Sequence, residues 1–297
     1  METISLLDPR FAVTRPGAFR IRGHSTDLPG DMDKKDLKKQ LEADKEHISD
    51  LQELLHASGG HALLLVFQAM DAAGKDSAIR HVMSGVDPQG VRVWSFKAPS
   101  SLERSHDFLW RHYQAVPARG HIGIHNRSHY EEVLVTRVHP RHILAQGLPD
   151  VRTEKDIDAA FWERRYAAIR AWEEHLADCG TTIMKFFLHM SPKEQHKRFM
   201  ERLDDPKKNW KFNPGDVTER GHWDAYMAAY EAAINATATP RAPWYVLPAD
   251  EQWETRALVG RLLRLQLEAL DLRHPVPTET DRAAFAEARA RLRAEQR

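Results

Sequence analysis

Residues 68–77 read Gln-Ala-Met-Asp-Ala-Ala-Gly-Lys-Asp-Ser, and this stretch decides the fold class of the 297-residue chain. An uninterrupted apolar run, residues 62–67, comes before it and is typical of a strand buried on both faces of a parallel sheet. A helical pattern follows it from Lys75. Small residues between a strand and a helix let backbone N–H groups surround phosphate oxygens at the positive end of the helix. The stretch therefore predicts a Walker A type phosphate-binding loop.

The loop departs from the standard Walker A pattern at three positions. Ala69 stands where the pattern has its first glycine, Asp76 stands where Ser or Thr binds magnesium, and Ser77 comes one place late. These departures leave open a Gly-Lys pair in an ordinary strand-to-helix turn. Asp71 favours the functional interpretation, because phosphates would repel a carboxylate that did not hold a cation. We interpret Asp71 as a ligand of Mg²⁺, and Lys75 as the cation that reaches the outer phosphates.

Strand and helix patterns alternate along the rest of the chain, which predicts an α/β fold with a three-layer parallel sheet. The further strands are predicted at 91–96, 121–125, 182–188 and 244–247. The helices are predicted at 33–57, 75–83, 102–114, 154–177, 192–203, 223–235 and 251–272. We expect an N-terminal arm and helix (1–60), a core (61–272) with a lid at about 191–222, and a C-terminal helical extension (273–297).

Composition restricts the class of protein. Lys+Arg and Asp+Glu are both 43, and this balance argues against a dedicated nucleic-acid binder. The apolar runs are too short to cross a bilayer, and the N-terminus lacks a secretory pattern, so we expect a cytoplasmic protein without membrane contact. The single cysteine, Cys179, excludes a disulfide framework within one chain and is interpreted as a packed residue.

The strand predicted at 121–125 runs into Asn126 and Arg127. Ligands of parallel sheets bind beyond the carboxyl ends of the strands, so Arg127 is expected to face the phosphate loop and stabilise a phosphoryl group in transfer. The alternative is a structural ion pair with Glu131 or Glu132. Three histidines at intervals of four, residues 121, 125 and 129, also suggest a metal site, which we discount because no cysteine or carboxylate cluster completes the set.

A cationic segment follows the strand predicted at 182–188. It begins with a capping box at residues 191–194 and places Arg198 and Arg202 on one helix face, with Lys208 in the loop beyond. A solvated helix face is the ordinary interpretation of such a charge run. Its position after a strand end favours instead a lid that closes over phosphates and excludes water.

Three separated blocks, at residues 68–100, 108–140 and 191–212, resemble the second family of polyphosphate kinases. The resemblance covers about residues 51–270 and implies a P-loop kinase core with a lid. It also implies reversible transfer of phosphate between inorganic polyphosphate and ADP or ATP, with Mg²⁺ or Mn²⁺. Many members carry Asp-Arg-Ser where this chain has Asn126, and the subgroup with Glu131 in place of an asparagine accepts AMP as well as ADP. Guanine nucleotides and assembly as a dimer or tetramer are further expectations.

The resemblance implies that Asp71, Lys75 and Arg127 are the catalytic residues, with Asp71 as the metal ligand. We further expect substrate binding by Ala72, Ala73, Gly74, Asp76, Ser77, Arg80, Lys97, Asn126, Glu131, Glu132, Arg198, Arg202 and Lys208. Two alternatives stay open at this point. One is a nucleoside monophosphate kinase with ATP as donor, and the other is a non-catalytic regulator that binds polyphosphate or nucleotides.

Overall fold

A six-stranded sheet forms the centre of the protein. The computed structural model describes residues 4–17, 19–28 and 33–295, so the remaining parts of the predicted arm and of the C-terminal extension lie outside the described residues. The strands are β1 (Ala12–Val13), β2 (Ala62–Ala69), β3 (Val91–Ser95), β4 (Ile122–Asn126), β5 (Thr181–His189) and β6 (Trp244–Pro248).

The strand order is β1-β6-β5-β2-β4-β3, and β2 to β6 are parallel as predicted. At the centre of the sheet, Leu65 of β2 lies between Ile124 of β4 and Met184 of β5. The expectation of a purely parallel sheet needs one correction, because β1 pairs antiparallel with β6. A strand of two residues inside the irregular N-terminal arm leaves no alternation pattern to detect.

Helices cover both faces of the sheet, as a continuous apolar β2 requires. The helices are α1 (Lys34–Ser58), α2 (Lys75–Val82), α3 (Ser101–Arg104), α4 (Trp110–Tyr113), α5 (Val135–Val138), α6 (Arg141–Leu144), α7 (Ala159–Asp178), α8 (Pro192–Asp204), α9 (Pro214–Arg220), α10 (Trp223–Thr237), α11 (Gln252–Ala269) and α12 (Glu279–Ala294). Helices α1, α2 and α11 pack together on one face, and α7 packs with α10 on the other.

Alternate residues of β2 supply the two halves of the core. Leu63, Leu65 and Phe67 face the layer that contains α1 and α11, and Leu64 and Val66 face the layer of α7 and α10. All of them are at most 1% exposed, so neither face of this strand reaches solvent. Because β2 is held on both sides, the loop at its carboxyl end starts from a rigid point.

Two predicted helices differ from the structure. The helix predicted at 102–114 is broken into α3 and α4, because the Ser100 capping box starts one turn and Asp107 starts another. The helix predicted at 154–177 begins later, at Ala159, where Asp158 accepts a hydrogen bond from the backbone N–H of Phe161. Thr153 and Asp156 form a capping box upstream of it, which caps a short 3₁₀ turn.

The lid region comprises α8, a 3₁₀ turn (Asn209–Lys211) and α9. Arg220, the last residue of α9, donates to the carbonyl of Pro192 and to Gln195 Oε1, which ties the end of the region to its start. The C-terminal α12 is exposed along its described length. Within the described ranges, none of the helices has both the length and the apolarity that a membrane span requires.

Candidate active site

The phosphate-binding loop connects the end of β2 to Lys75, the first residue of α2. Ala72 adopts a left-handed backbone conformation with φ 66°, and Gly74 has φ 103°. Such a conformation costs about 1–2 kcal/mol for a residue with a Cβ atom, so neighbouring contacts must hold Ala72 in place. Lys75 Nζ folds back along the loop and donates to the carbonyl of Ala69 at 2.7 Å.

Arg127 lies directly opposite the loop, at the carboxyl end of β4. Its guanidinium donates to Asp71 Oδ1 at 2.8 Å, and its other terminal nitrogen is 3.9 Å from Glu131 Oε2. The sequence left two positions open for Arg127, facing the loop or paired with a glutamate of its own segment. The structure shows both contacts at once, because Arg127 faces Asp71 of the loop and also Glu131. Its own φ is 61°, also left-handed, and its backbone N–H donates to the carbonyl of Phe67 on β2.

Four charged side chains therefore form one cluster, which we call the charge cluster: Asp71, Lys75, Arg127 and Glu131. Burial lowers the pKa of Lys75 and Arg127 lowers it further, while Asp71 and Glu131 oppose this shift. Burial opposes the charge on Arg127, but Glu131 and Asp71 outweigh it and raise the pKa of the guanidinium. Burial also raises the pKa of Glu131, against the effect of Arg127 and Lys75.

The cluster is open to solvent at the point where a phosphate would enter. The side chains of Asp71 and Arg127 are 30% and 43% exposed, respectively. Asp71 Oδ1 is bonded to Arg127, whereas Oδ2 has no hydrogen bond among the described residues. One free, solvent-facing carboxylate oxygen fits a Mg²⁺ ion that takes its other ligands from water and substrate phosphates. The described residues contain no group of three or more acidic, histidine or cysteine side chains that could hold a metal ion unaided.

Asn126 and the first turn of α2 form a polar rim beside the cluster. The Asn126 amide donates to Asp76 Oδ1, and this contact orients the Asn126 side chain. Ser77 accepts a hydrogen bond from Arg256 Nη2 at 2.8 Å, so α11 holds its hydroxyl.

Arg198 has a different position from the one expected of a lid arginine. It is 5% exposed, and all five of its N–H donors are used by protein oxygens. Nη1 donates to the carbonyls of Ala72 and Ala73, Nη2 donates to those of residues 249 and 250, and Nε donates to Glu194. The side chain therefore holds the strained loop rather than facing a ligand.

The other expected substrate-binding residues fall into two groups. Arg80, Lys97 and Lys208 are exposed, with Lys208 3.6 Å from Asp205. Glu132 is instead buried, where it accepts a hydrogen bond from Gln146 at 2.7 Å and lies 3.8 Å from Arg165. These contacts give Glu132 a structural role in the described conformation, since its carboxylate is satisfied away from the charge cluster.

Two residues near the cluster were missed from the sequence. Gln195, one turn into α8, donates to the backbone carbonyl of Asp71 at 2.9 Å. Asp216 of α9 lies 3.7 Å from Arg202, and burial and then the charge of Asp71 raise its pKa. Charge alone could not have identified Asp216, because the same region also contains Glu194, Glu201, Asp204, Asp205 and Glu219.

The histidines at 121, 125 and 129 do not converge on a metal. His121 contacts the carbonyl of Arg119, His125 contacts that of Ala115, and His129 contacts Glu173. His125 and His129 are fully buried, whereas His121 is only partly buried. The three side chains therefore have three different partners within the described residues.

Comparison with known proteins gives consistent results. A relative from Rhodopseudomonas palustris named ADP-polyphosphate phosphotransferase is 48% identical over 252 residues, which cover 85% of this chain and 86% of the relative. One from Meiothermus ruber named AMP/ADP-polyphosphate phosphotransferase is 50% identical over 230 residues, 77% of this chain and 80% of the relative. The crystal structure of polyphosphate kinase 2 from Arthrobacter aurescens superposes with a TM-score of 0.81 at 41% identity, over 96% of this chain and 100% of that one.

The match extends well beyond the phosphate loop. A family model described as polyphosphate kinase 2 spans residues 31–275, from the start of the described α1 region to the residues after α11. This range contains the charge cluster, the lid region and both helical layers, and it ends before α12. With its P-loop kinase-like sheet and relatives of this identity, the chain belongs to the polyphosphate kinase 2 family.

Proposed function

We propose that the protein transfers phosphoryl groups between inorganic polyphosphate and nucleoside mono- and diphosphates, converting ADP to ATP and AMP to ADP. The names of its relatives support this substrate class. The observation that carries the proposal is the charge cluster, in which the Arg127 guanidinium lies 2.8 Å from the loop acid Asp71. Such a cluster offers fixed positive charge on either side of a cation-binding carboxylate, as phosphoryl transfer requires.

Each residue of the cluster has a distinct task in this mechanism. Lys75, which now donates to the carbonyl of Ala69, would exchange that contact for a phosphate oxygen as substrate enters. Arg127 would stabilise the negative charge that spreads over the transferring phosphoryl group, and its contact with Asp71 orients it towards the loop. Positioning and electrostatic stabilisation supply the catalysis, so no covalent intermediate is needed.

Asp71 would hold Mg²⁺, for which Mn²⁺ is a chemical substitute. The chemistry that such an ion would supply at Asp71 is neutralisation of part of the phosphate charge. The residue's own contribution is the solvent-facing Oδ2, while Oδ1 stays with Arg127. Asn126 adds no negative charge here, so Asp71 is the carboxylate proposed for this task.

Glu131 is the residue that we propose determines nucleotide specificity. Its carboxylate lies 3.9 Å from Arg127, in the position for which the family resemblance implies acceptance of AMP. A carboxylate at this distance balances part of the cationic charge when the acceptor brings one phosphate fewer. We extend the proposal to guanine nucleotides and to assembly as a dimer or tetramer, which turnover of GDP and light scattering would test.

Phosphorus NMR of the purified protein with ADP, long-chain polyphosphate and Mg²⁺, in the absence of ATP, tests the proposal directly. We expect β- and γ-phosphate signals of ATP to grow as polyphosphate is consumed, and AMP in place of ADP should give the ADP signals. A protein that needs ATP as donor, or that binds polyphosphate without turnover, would refute the proposal.

Three substitutions connect the activity to the cluster: Asp71→Asn, Lys75→Ala and Arg127→Ala. Each should lose most of the activity and still fold, with Arg291→Ala on the exposed α12 as the matched loss of a cation. Full activity in any of the three would remove that residue from the proposed site. Titration of Mn²⁺ followed by electron paramagnetic resonance, with wild type and Asp71→Asn, measures the metal site independently of turnover.

A further inference from the structure

A network of charged and polar side chains lies in the core directly beneath the segment that carries Arg127 and Glu131. The segment makes a 3₁₀ turn, His129–Glu132, and the side chains of His129 and Tyr130 point inwards from it to Glu173 on α7. Tyr130 donates to Glu173 Oε1 at 2.8 Å, and His129 Nε2 lies 3.2 Å from the same oxygen.

Lys185 of β5 completes this network from the opposite side. Its ammonium donates to Glu173 Oε2 at 2.6 Å, to the carbonyl of Thr237 at 2.8 Å and to the Tyr130 hydroxyl at 3.1 Å. All three of its donors are therefore used, and both Glu173 oxygens are bonded. The four network side chains, His129, Tyr130, Glu173 and Lys185, are at most 2% exposed.

A buried ion pair of this kind is a weak contributor to stability, because desolvation of both charges offsets most of their attraction. Within the described residues, His129 Nδ1 is the one buried polar atom of these four side chains without a hydrogen-bond partner. The remaining hydrogen bonds nevertheless favour one arrangement of the elements that supply the network. Here it joins the 3₁₀ turn, α7, β5 and the end of α10 at a single point. Aromatic packing restricts it further, since Tyr130 packs edge-on against Trp244 with ring centres 4.6 Å apart.

The segment above the network needs such an anchor. Arg127 is held in the left-handed region at φ 61°, a conformation that persists only where the surroundings impose it. On the strand side, Gln68 donates to the Ser128 hydroxyl, which in turn accepts from the backbone N–H of Tyr130. On the core side, the two residues between Ser128 and Glu131 are both fixed to Glu173.

We propose that Glu173 and Lys185, acting through His129 and Tyr130, are positioning residues that hold Arg127 and Glu131 at the distances needed for phosphoryl transfer. The network contacts no substrate, so it controls the geometry of the segment and leaves substrate affinity to the residues above it. This proposal rests on the proposed role of Arg127.

A double substitution separates positioning from stability. Glu173→Leu together with Lys185→Met replaces the ion pair by apolar side chains of similar size, a change that often leaves stability unchanged or improved. Here the Tm should fall, because His129 Nε2, the Tyr130 hydroxyl and the Thr237 carbonyl lose buried partners. Below that Tm, we expect the folded protein to show a kcat about tenfold to a hundredfold lower, because small misplacements of catalytic groups have effects of that order. The KM values for polyphosphate and ADP should stay within about twofold, since uniform binding is preserved.

Tyr130→Phe is the second variant and keeps the ring while removing the hydroxyl. Its matched control is Tyr245→Phe, a buried tyrosine of β6 in the core layer on the opposite face of the sheet. We expect kcat to fall in Tyr130→Phe alone, so a Tyr130→Phe protein with wild-type kcat would overturn the proposal even if the double variant failed to fold. Wild-type kcat in a folded double variant would overturn it as well.

Arg127→Ala in the same assay distinguishes a failure of the proposed active site from a failure of the positioning role. If Arg127→Ala keeps full activity, the proposed site is wrong and the network has no catalytic group to position. If Arg127→Ala is inactive while the network variants keep wild-type kcat, the site stands and the positioning role of Glu173 and Lys185 is refuted.

Discussion

Substitution of Arg198 by lysine decides between two roles for this residue. A lid arginine that binds polyphosphate would tolerate lysine, because the positive charge remains available to the substrate. The structure instead gives Arg198 five hydrogen bonds, to Glu194 and to four backbone carbonyls, two of which belong to the strained loop at Ala72 and Ala73. Lysine has three donors on one nitrogen and cannot make five hydrogen bonds in these different directions.

The size of the effect follows from the count of acceptors. At least two of the five acceptors lose their partner, and a buried polar group without a partner costs about 1–3 kcal/mol. The sum is about 2–6 kcal/mol, and water reaches the partly exposed Ala72 carbonyl, so we expect Arg198→Lys to lose about 2–4 kcal/mol of unfolding free energy. Activity should fall with it, because the loop is no longer held against α8.

Urea unfolding and steady-state kinetics of the same preparation measure both consequences. The matched control is Arg241→Lys, which changes an exposed arginine paired with Glu174 and Asp178 and should alter stability by no more than about 0.5 kcal/mol. An Arg198→Lys protein as stable as wild type, with only a raised KM for polyphosphate, would refute the loop-holding role and restore the lid interpretation.

Three further predictions concern pH, nucleotide choice and loop geometry. Burial lowers the pKa of His125 in the folded protein to about 3. Below the ordinary pKa of histidine, this residue is therefore protonated in the unfolded chain but not in the folded protein, so stability falls with falling pH. This residue alone should remove about 1.4 kcal/mol of unfolding free energy between pH 7.5 and 5.5. Urea unfolding should therefore show that the unfolding free energy of His125→Gln depends less steeply on pH than that of wild type. The control Ile124→Val should keep the wild-type pH dependence. Glu131→Asn should lower AMP turnover relative to ADP turnover by about tenfold, equivalent to about 1.4 kcal/mol, and an unchanged ratio of kcat/KM values would disprove this role. Gly74→Ala should cost about 1–2 kcal/mol, because φ 103° strains any residue with a Cβ atom, and calorimetry that finds equal Tm values would contradict it.

The sequence predicted the parts of the fold that depend on local pattern. The apolar run of β2 and the helical spacing of α1 each carry their own periodic signal, and both elements appear within one or two residues of their predicted bounds. The meeting of Arg127 with the phosphate loop also followed from the sequence, since parallel strands bring their carboxyl ends to one edge. That inference needed topology alone, without side-chain detail.

The errors arose where distant residues decide the outcome. Arg198 and Arg202 share a helix face in the sequence, yet only Arg198 contacts the loop. The start of α8 packs against the loop at Asp71, whereas Arg202 lies one turn further along the helix, beside Asp216. Glu131 and Glu132 are neighbours of equal charge, and the 3₁₀ turn directs one to the charge cluster and the other to Gln146. No local pattern contains this information, since each contact spans elements that are far apart along the chain.

The antiparallel contact of β1 with β6 has a consequence for synthesis on the ribosome. Ala12 pairs with Tyr245, and Ala249 and Asp250 both donate to the carbonyl of Thr26. Residues 12–26 are therefore separated from these partners by more than 220 residues of chain, which makes the contacts slow to form. Until β6 has been made, β1 has no strand to pair with, so this edge of the sheet can form only late in folding.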